Sequence, residues 1–159
     1  MAKVLVTYFS RSGNTEKMAE AVAAGAKRVA GVAVDLRPVE QASIDDLPAF
    51  DGIIMGSPVY YGTMAAELKT FIDQSVKYHG KLAGKVGGAF ASSGAIGGGT
   101  ETTVLDIVKA LLIHGMIVQG DPGGSHYGPV AFGAPDDRSC RECEKLGKRV
   151  AELATRLAG

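Results

Sequence analysis

What this chain lacks first is charge of one sign: 17 Lys+Arg stand against 17 Asp+Glu, a formal net charge of zero with a pI near 6.8. Such a balance leaves no electrostatic footprint for nucleic acid or an anionic membrane. Long apolar runs are missing too, and nothing approaches the ~20 residues needed to span a bilayer. Cysteine is scarce, with Cys140 and Cys143 the only two. That is too few for a disulfide framework and agrees with a reducing compartment. Met1-Ala2-Lys3 runs straight into a strand-like Val4-Leu5-Val6 with no apolar targeting stretch, so a cytoplasmic location is the expectation.

Glycine, by contrast, is abundant: 22 of 159 residues, about twice the usual share of ~7%. The glycines cluster after apolar runs, where a strand turns into a loop. In an α/β protein that is where the ligand site lies.

Apolar periodicity divides the chain into alternating strands and helices. Lys3 to Phe9, Val32 to Leu36, Ile53 to Met55 and Lys85 to Ala91 read as four strands. Met116 to Val118 starts a fifth, which Val130-Ala131-Phe132 completes after an excursion through Gly120 to Tyr127. Helices follow each. One carries Met18, Val22, Ala26 and Val29; the next Met64, Leu68, Phe71, Ile72 and Val76; a third Val104, Ile107, Val108, Leu111 and Leu112, with Gly115 as C-cap. The last runs from about Ser139 to Leu157 with Cys143, Leu146, Val150, Leu153 and Leu157 on its buried stripe. The polar stretch holding Pro38 and Pro48 is left without regular structure. This alternation predicts a doubly wound parallel sheet in one domain, residues 1–159.

Three loops leave strand ends rich in Gly, Ser and Thr. The first, Ser10-Arg11-Ser12-Gly13-Asn14-Thr15, opens a helix and offers hydroxyl and backbone N–H donors to one anion, a phosphate cradle. It is neither a Walker A loop nor a G-x-G-x-x-G fingerprint. A merely capped helix start is the alternative. The second, Ser57-Pro58-Val59-Tyr60-Tyr61-Gly62-Thr63, offers two aromatics as flat walls for a planar ring, or as ordinary packing on the neighbouring helix. The third, Ser92 to Gly99, is so glycine-rich that it suits backbone contact with a ligand edge, or simple mobility. Two thiols cannot complete a four-ligand zinc site, and Cys143 falls on a buried stripe. The Cys140-Arg141-Glu142-Cys143 pair at the start of the last helix therefore reads as packed or idle thiols, the alternative being a redox pair whose thiol pKa the helix start lowers, and no metal is expected.

These loops together carry a resemblance. Thr7-Tyr8-Phe9-Ser10-Arg11-Ser12-Gly13-Asn14-Thr15-Glu16 resembles the FMN phosphate loop of the flavodoxin superfamily. Gly56 to Met64 with Phe71-Ile72-Asp73-Gln74, Ser92 to Glu101, and His114-Gly115-Met116 are similar to the WrbA-type NAD(P)H:quinone oxidoreductases within it. The resemblance covers nearly the whole chain and implies a flavodoxin-like five-stranded sheet of order 2-1-3-4-5. It implies that Ser10, Arg11, Ser12, Gly13, Asn14 and Thr15 hold the FMN phosphate. Pro58, Val59, Tyr60, Tyr61 and Gly62 would flank the isoalloxazine, and Ser93, Gly94, Ala95, Ile96, Gly97 and Gly98 would meet its polar edge. His114 would approach the ring as the catalytic candidate; a histidine before a C-cap glycine is also favourable through the helix dipole alone. His126 is a second candidate for the site, and His79 reads as a surface residue.

The activity so implied is electron transfer from NADH or NADPH through FMN to a quinone, in a homodimer or homotetramer. Arg11 is a candidate contact for nicotinamide phosphates, or a solvated loop arginine. The alternative is an electron carrier between protein partners, against which the zero net charge counts. This chain departs from the WrbA type between Val39 and Asp51 and between Gly120 and Tyr127, where it is short, which bears on assembly. It also has no tryptophan, so any wall provided by Trp in that family must come from a tyrosine here.

Overall fold

The computed structural model describes residues 1–159. Strand β1 (Ala2–Tyr8) leads into helix α1 (Asn14–Lys27), then β2 (Val32–Pro38). Two 3-10 turns, Val39–Gln41 and Ile44–Ala49, fill the polar stretch before β3 (Gly52–Tyr60). A two-residue strand β4 (Thr63–Met64), helix α2 (Ala66–Gln74) and a 3-10 turn at Ser75–Tyr78 follow. Then come β5 (Val86–Ser93), α3 (Thr100–Ile113), β6 (Ile117–Val118), β7 (Val130–Phe132) and α4 (Asp137–Leu157).

The parallel sheet has the order β2-β1-β3-β5-β6, and β7 pairs with the far end of β5. Counting β6 and β7 as one interrupted strand, this is the expected 2-1-3-4-5 order, with the excursion between them. Central strands β3 and β5 are apolar on both faces because helices cover both. On one face α1 and α4 pack Met18, Val22, Leu146 and Val150 onto Val4, Val6 and Phe90. On the other, α2 and α3 pack Leu68, Phe71, Ile107 and Leu111 onto Leu5, Ile53 and Ala89.

The helix pair α1–α4 is held at backbone contact. A Cβ at Gly147 would run into the Val22 carbonyl, and one at Gly25 into the Glu144 backbone. α4 begins where Asp136 accepts the Ser139 N–H at 2.7 Å, which with the Ser139 hydroxyl holds the Asp136 carboxyl below its ordinary range. α3 ends as expected: Gly115, at φ +77°, turns the chain so that Met116 N–H reaches Leu111 O at 3.1 Å.

The structure departs from the sequence reading in the reach of β3 and in two helices. β3 does not stop at Met55 but continues through Pro58 to Tyr60, and Thr63–Met64 returns antiparallel beside it. α2 ends at Gln74, and the tighter turn after it rotates Val76 outward, 71% exposed. Leu157, in the last turn of α4, is exposed rather than part of the buried stripe.

Candidate functional site

The carboxyl ends of β1, β3 and β5 meet where the strand order reverses, and the three glycine-rich segments leave from there. In the first, Gly13 adopts φ +93°, a conformation that costs a side-chain-bearing residue. Its N–H donates to Ser10 Oγ at 3.1 Å, folding the loop over the start of α1. The first backbone bond of the helix runs from Lys17 N–H to Gly13 O at 3.0 Å. The N–H groups of Asn14, Thr15 and Glu16 therefore face out of the open helix end without a backbone partner. They carry the partial positive charge of the helix dipole.

Behind this loop, the Tyr8 hydroxyl donates to Glu16 Oε1 at 3.0 Å, tying the end of β1 to the first turn of α1. Burial, with this carboxylate bond second, pushes the Tyr8 phenol up to about 12, so it stays a donor.

The second segment is a hairpin rather than a loop. Tyr60 pairs with Thr63 across a two-residue turn in which Tyr61 and Gly62 have φ +48° and +81°. Positive φ at both central residues matches a primed hairpin turn. Tyr61 is the one non-glycine residue with positive φ, and its ring is fully exposed. Tyr60 turns the other way: Phe9 meets it edge-on at 6.5 Å between centroids, and the Arg11 guanidinium lies over its ring at 4.9 Å.

The third segment begins only after Ser93, the last residue of β5. The Ser93 hydroxyl donates to Ala95 O at 2.6 Å and accepts Ala95 N–H at 3.1 Å, while Gly98 N–H donates to Ala95 O at 3.2 Å. The loop thus folds on itself and leaves Ile96 exposed. Thr102 Oγ1, in the first turn of α3, lies 3.0 Å from Gly62 O and 2.9 Å from Gly99 O, between the hairpin and the end of this segment. Thr15 Oγ1 and Ser92 Oγ, both buried, are 2.8 Å apart and link it to the first loop.

Between the three segments lies a recess of about 260 Å³ lined by Arg11, Ser12, Asn14, Thr15, Pro58, Val59, Tyr60, Ser92, Ser93 and Gly94. Of the expected cofactor residues, Ser10 and Gly13 stand behind the wall as loop-shaping groups. Tyr61 and Gly62 form the hairpin tip, and Ala95, Ile96, Gly97 and Gly98 lie beyond the recess. Ser92, the first residue of the third candidate loop but not among the expected cofactor contacts, also lines the recess, where its hydroxyl meets Thr15, 77 positions away in the chain. Arg11 is the only charged lining residue. The wall therefore suits binding of an anion and a flat ring better than acid–base work. A larger trough of about 830 Å³ runs along the β2 edge, away from these segments, and its Arg37 is already committed to Asp35 and Asp46.

His114 is not at this recess, which corrects its expected approach to the ring within one chain. α3 starts beside Gly62 at Gly99 and ends at His114. Its 14 residues at 1.5 Å each put the histidine about 21 Å further along, at the opposite end of the sheet. There His114 joins His79, Ile72, Val76, Ala110 and Ile113 around a separate hollow. Ser75 Oγ donates to Ile72 O at 2.6 Å, so it accepts from His114 Nε2–H at 2.7 Å. The proton is therefore on Nε2, and the buried Nδ1 has no partner. Burial, with the neighbouring His79 second, lowers the His114 pKa.

His126 does not point into the recess; its Nδ1 lies 2.7 Å from Asp121 O within the excursion. His79 is exposed, as expected of a surface residue, and its ring centroid lies 6.1 Å from that of His114. Cys143 is fully buried with its thiol pKa pushed up by burial, and Cys140 is half-buried. No helix is long and apolar enough to cross a membrane.

Comparison with known proteins agrees with this architecture. A family model described as the flavodoxin domain matches residues 5–111. A flavodoxin of Aquifex aeolicus is 41% identical over 160 residues, covering 96% of this chain and 86% of that protein. An NAD(P)H dehydrogenase (quinone) of Sinorhizobium fredii is 38% identical over 199 residues, covering 99% and 100%. The crystal structure of a WrbA-like flavodoxin from Agrobacterium tumefaciens superposes with a TM-score of 0.84 at 30% identity, covering 98% of this chain and 99% of that one. The open helix start, the aromatic hairpin and the sheet order thus stand on a chain that belongs to the flavodoxin domain family.

Proposed function

We propose that this protein is an FMN-dependent oxidoreductase that takes electrons from NADH or NADPH and delivers them to a quinone. The observation that carries the flavin part is the open first turn of α1, whose Asn14 and Thr15 line the same recess as Tyr60 and whose first three N–H groups have no backbone partner. An acceptor-only phosphate fits these donors, and a planar ring fits the aromatic wall. Bound FMN would supply hydride acceptance from a nicotinamide and two-electron delivery to a quinone. The chain's own residues then bind and orient. Asn14, Thr15 and Glu16 N–H groups neutralise the phosphate, Val59 and Tyr60 fix the ring plane, and Gly94 leaves room at its edge.

The enzyme part is supported by the full-length similarity to a quinone dehydrogenase and by the absence of net charge. Docking between carrier proteins is usually steered by a charged face. A homo-oligomer is part of the proposal, because Val76 and Ile113 are 71% and 72% exposed beside His114. Any contact of His114 with flavin requires a second copy of the chain.

One observation favours a carrier instead. The alignment with the quinone dehydrogenase runs over 199 positions against 159 residues here, so at least 40 of them have no counterpart in this chain. Anaerobic mixing with reduced nicotinamides separates the two: an enzyme's flavin is reduced directly, whereas a carrier's waits for a protein reductase.

A further inference from the structure

We infer that Ser92 is a positioning residue which, through Thr15, makes the site select a phosphorylated flavin over an unphosphorylated one. This rests on the flavin reading above and concerns one pair of hydroxyls. Thr15 Oγ1 and Ser92 Oγ are 2.8 Å apart, 2% and 5% exposed, and each has only the other as a hydrogen-bonding partner. The adjacent Ser93 is different, since its hydroxyl is consumed by Ala95 within its own loop.

Two hydroxyls carry two protons, and the bond between them uses one. Which oxygen donates is open in the bare pair. If Thr15 donates to Ser92, the spare proton sits on Ser92, at the end of β5, rather than in the first turn of α1. If Ser92 donates to Thr15, the spare proton sits on Thr15, in the first turn of α1 beside the unpaired N–H groups. Leaving a buried proton without an acceptor is costly. An acceptor-only phosphate at the helix end takes up the second arrangement and no other. The bonds Ser92 to Thr15 and Thr15 to phosphate then run in one direction and polarise each other. Ser92 touches no ligand in this scheme; it sets the direction in which Thr15 donates. A flavin without phosphate offers nothing to the chain and gains nothing from Ser92.

The test is titration of FMN and of riboflavin with the apo-protein, read by flavin fluorescence. Ser92→Ala is expected to weaken FMN about threefold to tenfold, the worth of one net hydrogen bond, and to leave riboflavin within about twofold. Thr15→Val alone should cost more, and Ser92→Ala added to it should cost FMN no more than about a further twofold, since the chain is already cut. Thermal melting of each apo-protein shows whether it folds. Ser92→Cys, similar in shape with a weak donor, gives the same readout should the alanine variant melt early. Equal loss for FMN and riboflavin, or a wild-type FMN affinity in Ser92→Ala, overturns the assignment while the flavin reading stands. Failure of the wild-type protein to bind FMN overturns that reading, and the assignment with it.

Discussion

The guanidinium of Arg11 lies over the ring of Tyr60, 4.9 Å from its centroid, and both residues line the recess between the three segments. A cation so placed, though exposed, has an aromatic partner at the recess. It is the only charge there to meet the phosphates of a reduced nicotinamide. Arg11→Ala is expected to raise KM for NADPH about tenfold with a smaller change in kcat, the pattern of a lost binding contact. Steady-state kinetics at saturating quinone check this, and an unchanged KM removes the assignment.

The phosphate cradle gives a second prediction. Space around the Gly13 Cα is open, so a side chain there is excluded by its φ of +93° rather than by crowding. Gly13→Val should therefore shift the loop out of position. Thr15→Val removes a donor outright. Each is expected to weaken FMN by at least about tenfold, the size of one charge-assisted hydrogen bond. Equilibrium dialysis followed by the flavin spectrum measures it, and retention of full yellow colour would show the cradle misplaced.

Stability should depend sharply on the α1–α4 contact. The Gly147 Cα lies against the Val22 carbonyl, with backbone on both sides and no flexible side chain to give way. Gly147→Ala is expected to destabilise the fold by about 3 kcal/mol or more, at the upper end of overpacking costs. Urea unfolding by circular dichroism tests it. Gly13→Ala, in open space, serves as the comparison and should cost much less.

A pH effect follows from His114. Its folded-state pKa is lowered, by burial first and by His79 second, so the unfolded chain binds a proton more readily. Stability from this group is present above the unfolded value of about 6.5 and is lost as pH falls through that region. The urea midpoint should fall between pH 7.5 and 5.5, and His114→Gln should flatten that slope. A slope unchanged in the variant would assign the effect elsewhere.

Cys143 should be inert to iodoacetamide in the folded protein, because it is fully buried and its thiol pKa is pushed up. Mass spectrometry should find modification at Cys140 alone, and at both positions in urea. Rapid double labelling without denaturant would contradict the burial.

Strand–helix alternation makes the sheet legible in the sequence. Val4, Ile53 and Phe90 sit in short apolar runs, and glycine or proline marks where each run turns. Even the interrupted strand at Ile117 and Val130 could be read, because both halves keep β-branched residues. The Tyr60 hairpin was not legible, since Pro58 and a tyrosine pair resemble a loop until pairing with Thr63 is seen. His114 is more instructive. A residue at the end of α3 must lie opposite the strand ends that α3 leaves, so the alternation itself carried the signal that motif likeness overrode. Ser92 opens the third candidate loop, but only the folded sheet brings its hydroxyl to Thr15.

The most direct test of the central claim is anaerobic mixing of the FMN-loaded protein with NADH and, separately, with NADPH, followed by benzoquinone. Bleaching of the flavin absorbance by at least one nucleotide, and its return on adding the quinone, is the predicted result. A bound flavin that stays oxidised with both nucleotides would contradict the oxidoreductase and leave an electron carrier fed by a protein reductase.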